Sequence, residues 1–510
     1  MKRQIIEDLS LGQRVAEDEF DELATYFVET EHWKSVWRGD VDVIYGAKGS
    51  GKSAIYSTLM SREEQLFDRN ILVRAAENPK GTPAFKSLTE EPPVPEEAFA
   101  GLWKLYFLAL IADAFDEYEI RDEGARKVVR TLTDAQLRPG GKTSLRQHVK
   151  NAFEYVRRLA RPSEIEPSVA LDPNTGTIAG FSNRIAFREP SVAERARGDI
   201  YVDELLEVAN TSLADAGIKM WLLLDRLDVA FAGEPDLEKK ALRALFKCYL
   251  DLNGFDRIHL KIFLRTDIWK AITDSGFREA SHITRDLVLY WDNDALLQLV
   301  VQRLLQNESL VKLYGSDPKV VVVGTSAQQE FFYHVYPPQV ELGSRRPQTF
   351  DWCLTRTQDG TKRTAPRELI HLLTEARRAQ LKRLEVGEPE PDGEHLFDPS
   401  ALKDALPPVS EVRLDRTLYA EYPDVRHHLE LLEAQKTNHS VQSLSSIWQE
   451  SAERTKQLCT RLVEIGFFEK RGEPPFLQYW VPFLYRPALH LVQGSAEGVI
   501  DTSIDEESNS

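Results

Sequence analysis

The sequence predicts an α/β protein whose core is a parallel sheet. Three short apolar runs each have the length and composition of a buried strand, and polar or helix-forming residues follow each one. The runs are VDVIY at residues 41–45, MWLLL at 220–224 and LKIFL at 260–264. A chain of 510 residues is too long for one hydrophobic core, so we expect two or three domains.

The bulk composition narrows the class of protein. The net charge of -17 and the pI of about 5.3 argue against a general polyanion binder, so any nucleic-acid contact needs a local basic patch. The three cysteines Cys248, Cys353 and Cys459 are too far apart for a metal or disulfide motif, which fits a reducing cytoplasm. No apolar run approaches the roughly 20 residues that span a bilayer, so we expect no membrane contact.

The first strand leads into GAKGSGKS, residues 46–53, which fits the phosphate-loop pattern G-x-x-x-x-G-K-[ST]. Glycines let successive backbone N–H groups converge on a phosphate, and the helix predicted from residue 53 adds a favourable dipole. The predicted nucleotide-binding residues are Gly46, Ala47, Lys48, Gly49, Ser50, Gly51, Lys52 and Ser53. Lys52 is expected to reach the β- and γ-phosphates, and Ser53 to ligate Mg²⁺. No guanine-reading [NT]-K-x-D motif follows, so we expect ATP.

The second strand ends in LLLDRLD, residues 222–228. Asp225 falls at the carboxyl end of a parallel strand, where ligands bind, and we expect it to hold Mg²⁺ through water. Arg226 occupies the next position, where a glutamate base is usual. Asp228 is the nearest carboxylate that could orient an attacking water molecule.

The C-terminal third has a different pattern. Proline- and acid-rich residues 386–404 predict a linker, and residues 405–492 predict three helices followed by two strands, which is the pattern of a winged helix-turn-helix. The third helix balances basic residues against glutamates, so DNA contact and protein contact both remain open. The predicted helices cover 423–435, 444–449 and 452–465, and the strands flank a turn at 471–475.

Two other stretches lie outside the minimal core, within a predicted insertion over residues 98–196. Residues 98–160 predict helices whose aromatic side chains are most simply core. Residues 161–191 predict a loop or small hairpin, because they are rich in Pro, Ser, Gly and Asn. The acidic tail, residues 493–510, is expected to be disordered.

Over about residues 20–385 these pieces follow the order found in the ORC and STAND branches of AAA+ ATPases, which the chain resembles. LLLDRLD is similar to the STAND signature hhhhDGLDE, with Arg226 for the glycine and Val229 for the final glutamate. The resemblance implies a parallel-sheet P-loop ATPase core over residues 1–292, a helical lid over 293–385 and a C-terminal winged helix.

The resemblance also implies roles for several basic residues. Arg265 and Thr266, after the third strand, match the polar sensor that faces the γ-phosphate. Arg285, in HITRDLVLYW, matches an arginine finger that acts on a neighbouring subunit, with Arg278 as the reserve. Arg367, in PREL, matches the sensor-2 arginine of the lid.

Three functions follow from this resemblance. Several bacterial ATPases of this build serve in defence against phage, and the chain is similar to them. The first function is a slowly hydrolysing, homo-oligomeric ATP switch that acts on a protein partner or effector on another chain. The second is an ORC-like ATPase that loads or remodels a partner on duplex DNA. The third is a structural protein with a static nucleotide.

Overall fold

The computed structural model describes residues 2–12, 23–77, 96–138, 144–160, 185–196, 199–230, 234–274, 276–474 and 476–496. The chain divides into two compact units. The sheet unit comprises residues 31–47 and 52–289, and the helical unit comprises 1–30, 48–51 and 290–510. The predicted core boundary at 292 is close to this division, but residues 1–30 belong with the helical unit rather than with the core.

The sheet unit contains seven strands within its described residues. In chain order they are β1 (Val43–Gly46), β2 (Ile71–Ala75), β3 (Ile185–Ala186), β4 (Ile200–Tyr201), β5 (Lys219–Leu224), β6 (Ile258–Arg265) and β7 (Asp286–Val288). Five form one sheet in the order β2-β5-β6-β1-β7, and every neighbouring pair is parallel. Strands β3 and β4 form a separate parallel pair.

The predicted apolar runs are β1, β5 and β6, which are the three inner strands of the sheet. Their side chains are almost all buried, which explains why these runs are continuously apolar rather than alternating. Because the strands are parallel, the residues that follow Gly46, Leu224 and Arg265 all lie at one edge of the sheet. That edge is where the predicted phosphate loop and acidic residues belong.

Helices cover the sheet and account for most of the unit. They are Glu31–Arg38, Lys52–Ser61, Glu63–Phe67, Glu96–Glu117, Glu123–Asp134, Leu145–Ala160, Val192–Ala196, Val202–Asp215, Leu227–Ala230, Pro235–Leu252, Thr266–Asp274 and the 3₁₀ helix Arg278–His282. The predicted loop or hairpin at 161–191 lies largely outside the described residues. Its described end contains β3.

The long helix Glu96–Glu117 corrects one expectation. Its stretch Ala98–Glu117, with mean hydropathy 1.5, is long and apolar enough to cross a membrane by length and composition, so the expectation that no apolar run reaches this length is wrong. The most apolar window is 78% buried inside the protein. Trp103 and Tyr106 are fully buried, and the Trp103 indole N–H donates to the Ala241 carbonyl at 2.9 Å. The aromatic side chains are core, as predicted.

The helical unit contains twelve α-helices in its described residues. They are Lys2–Asp8, Leu23–Tyr26, Asn293–Leu305, Glu308–Tyr314, Pro318–Val321, Thr325–Val335, Thr349–Thr357, Pro366–Glu385, Pro399–Arg413, Pro423–Glu430, Val441–Trp448 and Ala452–Glu464. A π-helical segment, Leu414–Tyr419, and a 3₁₀ helix, Phe483–Tyr485, complete the helical content. Four short strands, β8 (Lys436–His439), β9 (Glu469–Arg471), β10 (Gln478–Trp480) and β11 (Val492–Ser495), form a sheet in the order β11-β8-β10-β9.

The predicted linker at 386–404 is packed rather than extended. Leu396 and Phe397 are buried, and the Phe397 ring stacks on Tyr336 with centroids 4.6 Å apart. Helix Pro399–Arg413 runs through the boundary predicted between residues 404 and 405. The expected lid and the expected C-terminal domain share one hydrophobic core. The tail predicted to be disordered from residue 493 is ordered at its start, because residues 493–495 belong to β11. Its residues from 497 onward and the turn residue Pro475 lie outside the described residues.

Candidate functional site

Two glycines shape the predicted phosphate loop. Gly49 and Gly51 have φ of +80° and +98°, a left-handed conformation that side chains disfavour. A β-carbon on Gly49 would also lie 3.0 Å from the β-carbon of Arg367, so this position lacks space as well. The loop backbone therefore depends on glycine at both positions.

Lys52 is the first residue of helix Lys52–Ser61, directly after the loop. Its ammonium donates to the carbonyls of Gly46 and Ala47 at 2.9 and 3.0 Å. Burial lowers the pKa of Lys52, and the negative charges of Asp225 and Asp228 oppose that shift. A phosphate is a stronger partner for this ammonium than two carbonyls, because the hydrogen bond is then charge-assisted on both sides.

The acidic residues predicted from the second apolar run lie at the same sheet edge as Arg265. Asp225 is buried directly after β5, and Asp228 lies on the short helix Leu227–Ala230. Arg265 Nη1 is 3.5 Å from Asp228 Oδ2. Arg265 also forms two bonds to Asp267, from Nε at 3.0 Å and from Nη2 at 2.7 Å. Asp267 was not predicted as a site residue, and its role is to orient the Arg265 guanidinium.

Arg226 has φ of +58°, in the left-handed region. Only glycine adopts this conformation without strain. The chain must turn sharply between β5 and the helix Leu227–Ala230. In this left-handed conformation an arginine costs roughly 1–2 kcal/mol more than a glycine.

Sequence reasoning also missed Glu238, in the first turn of helix Pro235–Leu252. Burial, with the negative charge of Asp228, raises the pKa of Glu238 to about 7, although the positive charge of Arg265 opposes the shift. Glu238 therefore belongs electrostatically to the cluster around Arg265. Glu238 follows the acidic strand closely in the sequence, but so does Glu234, and nothing in the spacing distinguishes the two. The sequence alone therefore does not single out Glu238.

The structure does not bring Arg285 to this edge within its own chain. Arg285 precedes β7, and its Nε donates to Asp42 Oδ2 at 2.6 Å while Nη2 donates to the Gly39 carbonyl. Asp42 precedes β1, so this pair lies at the amino edge of the sheet, opposite the phosphate loop. A finger acts on a neighbouring subunit, so this placement leaves the role of Arg285 a prediction. The reserve, Arg278, begins a 3₁₀ helix.

Residues 48–51 contact three side chains of the helical unit. The Trp291 indole N–H donates to the Ser50 carbonyl at 2.8 Å. Arg367, in the first turn of helix Pro366–Glu385, packs beside Gly49. Lys48 forms an ion pair with Glu421. Trp291 and Glu421 were not predicted as site residues, because nothing local in the sequence connects them to the loop.

Two buried polar atoms in the helical unit suit a phosphate ligand. Ser50 Oγ and Arg367 Nε are buried and have no protein hydrogen-bond partner, as expected of groups that complete their bonds with a ligand. Mg²⁺ typically takes one or two protein oxygens and completes its shell with phosphate and water. Asp225 and Ser53 are the oxygen donors that could serve such an ion, and the described residues contain no group of three or more His, Cys, Asp or Glu side chains that could hold a metal ion by itself.

The parallel sheet order, the phosphate loop after β1 and the acid after β5 define a parallel-sheet α/β fold of the P-loop kind. No protein-family model matches the chain. No curated protein sequence matches it either. The fold assignment therefore stands on the chain's own topology and loop.

Solved structures show remote likeness to the chain. The ORC1 protein of Aeropyrum pernix in complex with DNA is 12% identical, with 96% of this chain and 95% of that chain covered and a TM-score of 0.34. The Walker-type ATPase PABY2304 of Pyrococcus abyssi is 10% identical, with 91% and 96% covered and a TM-score of 0.38. The A. pernix ORC2 protein in ADPNP–ADP complexes is 12% identical, with 93% and 91% covered and a TM-score of 0.28. These scores are too low to support an argument about this chain.

Proposed function

We propose that this chain is an ATP-binding and slowly hydrolysing AAA+/STAND-like ATPase that acts as an oligomeric nucleotide switch. One observation carries the proposal. The glycine-shaped phosphate loop ends in Lys52, and the buried acid Asp225 follows β5 at the same edge of the sheet. This combination suits a triphosphate with its metal ion.

In this proposal each site residue has one task. The loop backbone cradles the phosphates, Lys52 binds the β- and γ-phosphates, and Ser53 and Asp225 hold Mg²⁺. Asp228 orients the attacking water, and Arg265 senses the γ-phosphate beside it. Arg367 reaches the γ-phosphate from the lid helix.

Slow turnover follows from two features of the acidic strand. Arg226 stands where a general-base glutamate is usual. The replacement, Asp228, has the Arg265 guanidinium 3.5 Å away, so one of its oxygens is already engaged and less available to orient a water molecule. A nucleotide that is bound firmly and hydrolysed slowly suits a switch better than a processive motor.

The resemblance to bacterial defence ATPases supports a role in anti-phage defence, in which the ATP-bound oligomer activates an effector on another chain. Arg285 would supply the finger between subunits. A mixing experiment tests this assignment, because Arg285→Ala keeps its own phosphate loop while Lys52→Ala keeps its finger. We expect addition of the Lys52→Ala protein to raise ATP turnover by the Arg285→Ala protein. No gain, although the two proteins co-assemble, would contradict a finger in trans.

The C-terminal helices and sheet favour a second function, ORC-like action on duplex DNA through a winged helix. Helix Ala452–Glu464 exposes Arg454 and Lys456 to solvent. The adjoining strand β9 offers less positive charge to DNA. Its Arg471 bonds Glu469 at 2.9 and 3.2 Å and lies over the Trp480 ring. We therefore rank contact with a protein above contact with DNA.

The deciding experiment is the ATP hydrolysis rate of the full chain with and without duplex DNA, with Lys52→Ala as the blank. Slow turnover that DNA does not change supports the switch. Strong stimulation by DNA would favour the second function. In the same assay Asp228→Asn should lower turnover while ATP binding persists, and unchanged turnover at saturating ATP and Mg²⁺ would remove Asp228 from the water-orienting role.

A further inference from the structure

The helix that begins at Pro399 continues beyond Arg413 through the π-helical segment Leu414–Tyr419 and ends at Glu421. We call residues 413–421 the π segment. π-Helical turns within longer helices are rare and are frequent at functional sites. Both ends of the π segment lie near residues 48–51: one end contacts a neighbour of the loop, and the other end contacts the loop directly.

The first end of the π segment contacts the lid helix. Arg413 Nη1 donates to Glu368 Oε1 at 2.9 Å, and both side chains are almost fully buried. The other carboxylate oxygen, Glu368 Oε2, lies 3.5 Å from the position of a β-carbon on Gly49. A buried ion pair of this kind fixes geometry, because loss of either partner leaves a charge without compensation. This end is therefore held beside the phosphate loop.

The second end of the π segment contacts the loop itself. The Glu421 carboxylate accepts a hydrogen bond from the Lys48 ammonium. The Glu421 side chain is 13% exposed and that of Lys48 33% exposed, so solvent screens this pair only in part. A carboxylate here opposes phosphate binding in two ways. It neutralises a loop lysine, and its own negative charge repels the triphosphate.

We propose that Glu421 is an internal counter-anion of the phosphate loop, and that ATP competes with Glu421 for Lys48. ATP binding then frees the second end of the π segment, while Arg413 keeps the first end in place. The helices and strands from Pro423 onward follow directly after Glu421, so they receive the signal that the loop is occupied. The inference rests on the proposed ATP binding and names the contact through which the C-terminal region senses the nucleotide.

Equilibrium binding of ATP with Mg²⁺ to the full chain tests this competition. Glu421→Gln keeps the size of the side chain and removes its charge, so we expect the Kd to fall roughly three- to tenfold, the range for loss of one partly screened charge interaction. The control is Glu430→Gln, which removes a similar charge from an exposed pair with Arg426 and should bind ATP as the wild type does. In a Lys48→Met background, Glu421→Gln should lower the Kd for ATP by a much smaller factor.

Amide hydrogen exchange supplies a second readout, which an inert structural contact would not change. We expect ATP to speed exchange across 414–421 in the wild type and to have little effect in Glu421→Gln, where the ion pair with Lys48 is already lost. If the wild type binds ATP but Glu421→Gln binds it equally or more weakly, the inference is wrong and the proposed function stands. If neither protein binds ATP, the proposed function fails and the inference fails with it.

Discussion

Arg226 provides a residue-scale test of the backbone at the end of β5. Its φ of +58° is costly for any side chain and free for glycine. We expect Arg226→Gly to be more stable than Arg226→Ala by about 1 kcal/mol, because both variants lose the guanidinium and only one loses the β-carbon. Thermal unfolding of the two variants side by side measures the difference. Equal or higher stability of Arg226→Ala would place this residue outside the left-handed region.

Glu238 gives a pH-dependent prediction. Its pKa of about 7 in the folded protein lies above the ordinary value of 4.5, so the stability that it contributes is full below about pH 4.5 and is lost as the pH rises through 7. Glu238→Gln cannot ionise. The unfolding temperature of the variant minus that of the wild type should therefore increase from pH 5 to pH 8. A difference that is constant over this range would show that Glu238 is not held in its neutral form.

Local sequence predicted the residues whose roles depend on neighbours in the chain. The phosphate loop and Asp225 are of this kind, because a strand, a turn and a helix within one short stretch determine them. Asp267, Glu238 and Glu421 were missed. Glu421 pairs with Lys48, 373 positions earlier in the chain, and no spacing rule connects the two residues. Asp267 bonds Arg265 only two positions away, but no motif in the sequence marks it as a site residue.

At the scale of elements, a buried ion pair links Asp42, directly before β1, to Lys261 in the middle of β6. Lys261 donates to Asp42 Oδ1 at 2.8 Å and to the Val41 carbonyl at 2.6 Å, and both charged side chains are almost completely buried. Lys261→Met should destabilise the protein by about 3 kcal/mol, the lower end for a broken buried pair, because Arg285 still compensates Asp42. Denaturant unfolding measures the loss.

The double variant Lys261→Met/Asp42→Leu is the control for this prediction. Replacement of both charges by apolar side chains of similar size removes the unpaired charge, so the double variant should recover most of the lost stability. If the stability losses of the two single variants simply add in the double variant, Lys261 and Asp42 are not energetically coupled. Additive losses would also show that Lys261 contributes through its packing over the Trp221 ring, whose centroid is 4.4 Å from the ammonium.

The prediction of helices and strands succeeded where burial requires a continuous run of apolar residues. The inner strands β1, β5 and β6 are continuous apolar runs, and the aromatic positions of helix Glu96–Glu117 are core. It failed at residues 386–404, where proline and acidic residues suggested a linker. The apolar residues Leu396 and Phe397 within that stretch decide the outcome, because their burial holds the segment against the helical unit.

At the scale of the whole molecule, the division of the chain differs from the predicted order of domains. Residues 1–30 belong with the helical unit, where the Arg377 guanidinium donates to the Ile6 carbonyl at 2.8 Å and Arg303 donates to the Leu11 carbonyl at 2.5 Å. Such contacts join residues 292 and 371 positions apart, so they leave no local trace in the sequence. The expected lid and the expected C-terminal domain likewise share one hydrophobic core, although the composition of residues 386–404 predicted a linker between them.

Binding of ATP with Mg²⁺ to the full chain, measured by calorimetry beside Lys52→Ala, tests the central claim most directly. The matched control is Lys34→Ala, which removes an exposed lysine that pairs with Glu31. The account predicts saturable binding by the wild type and by Lys34→Ala, and no detectable binding by a Lys52→Ala protein that unfolds at a similar temperature. Undiminished ATP affinity in Lys52→Ala would contradict the account, because the ammonium would then have no part in holding a triphosphate.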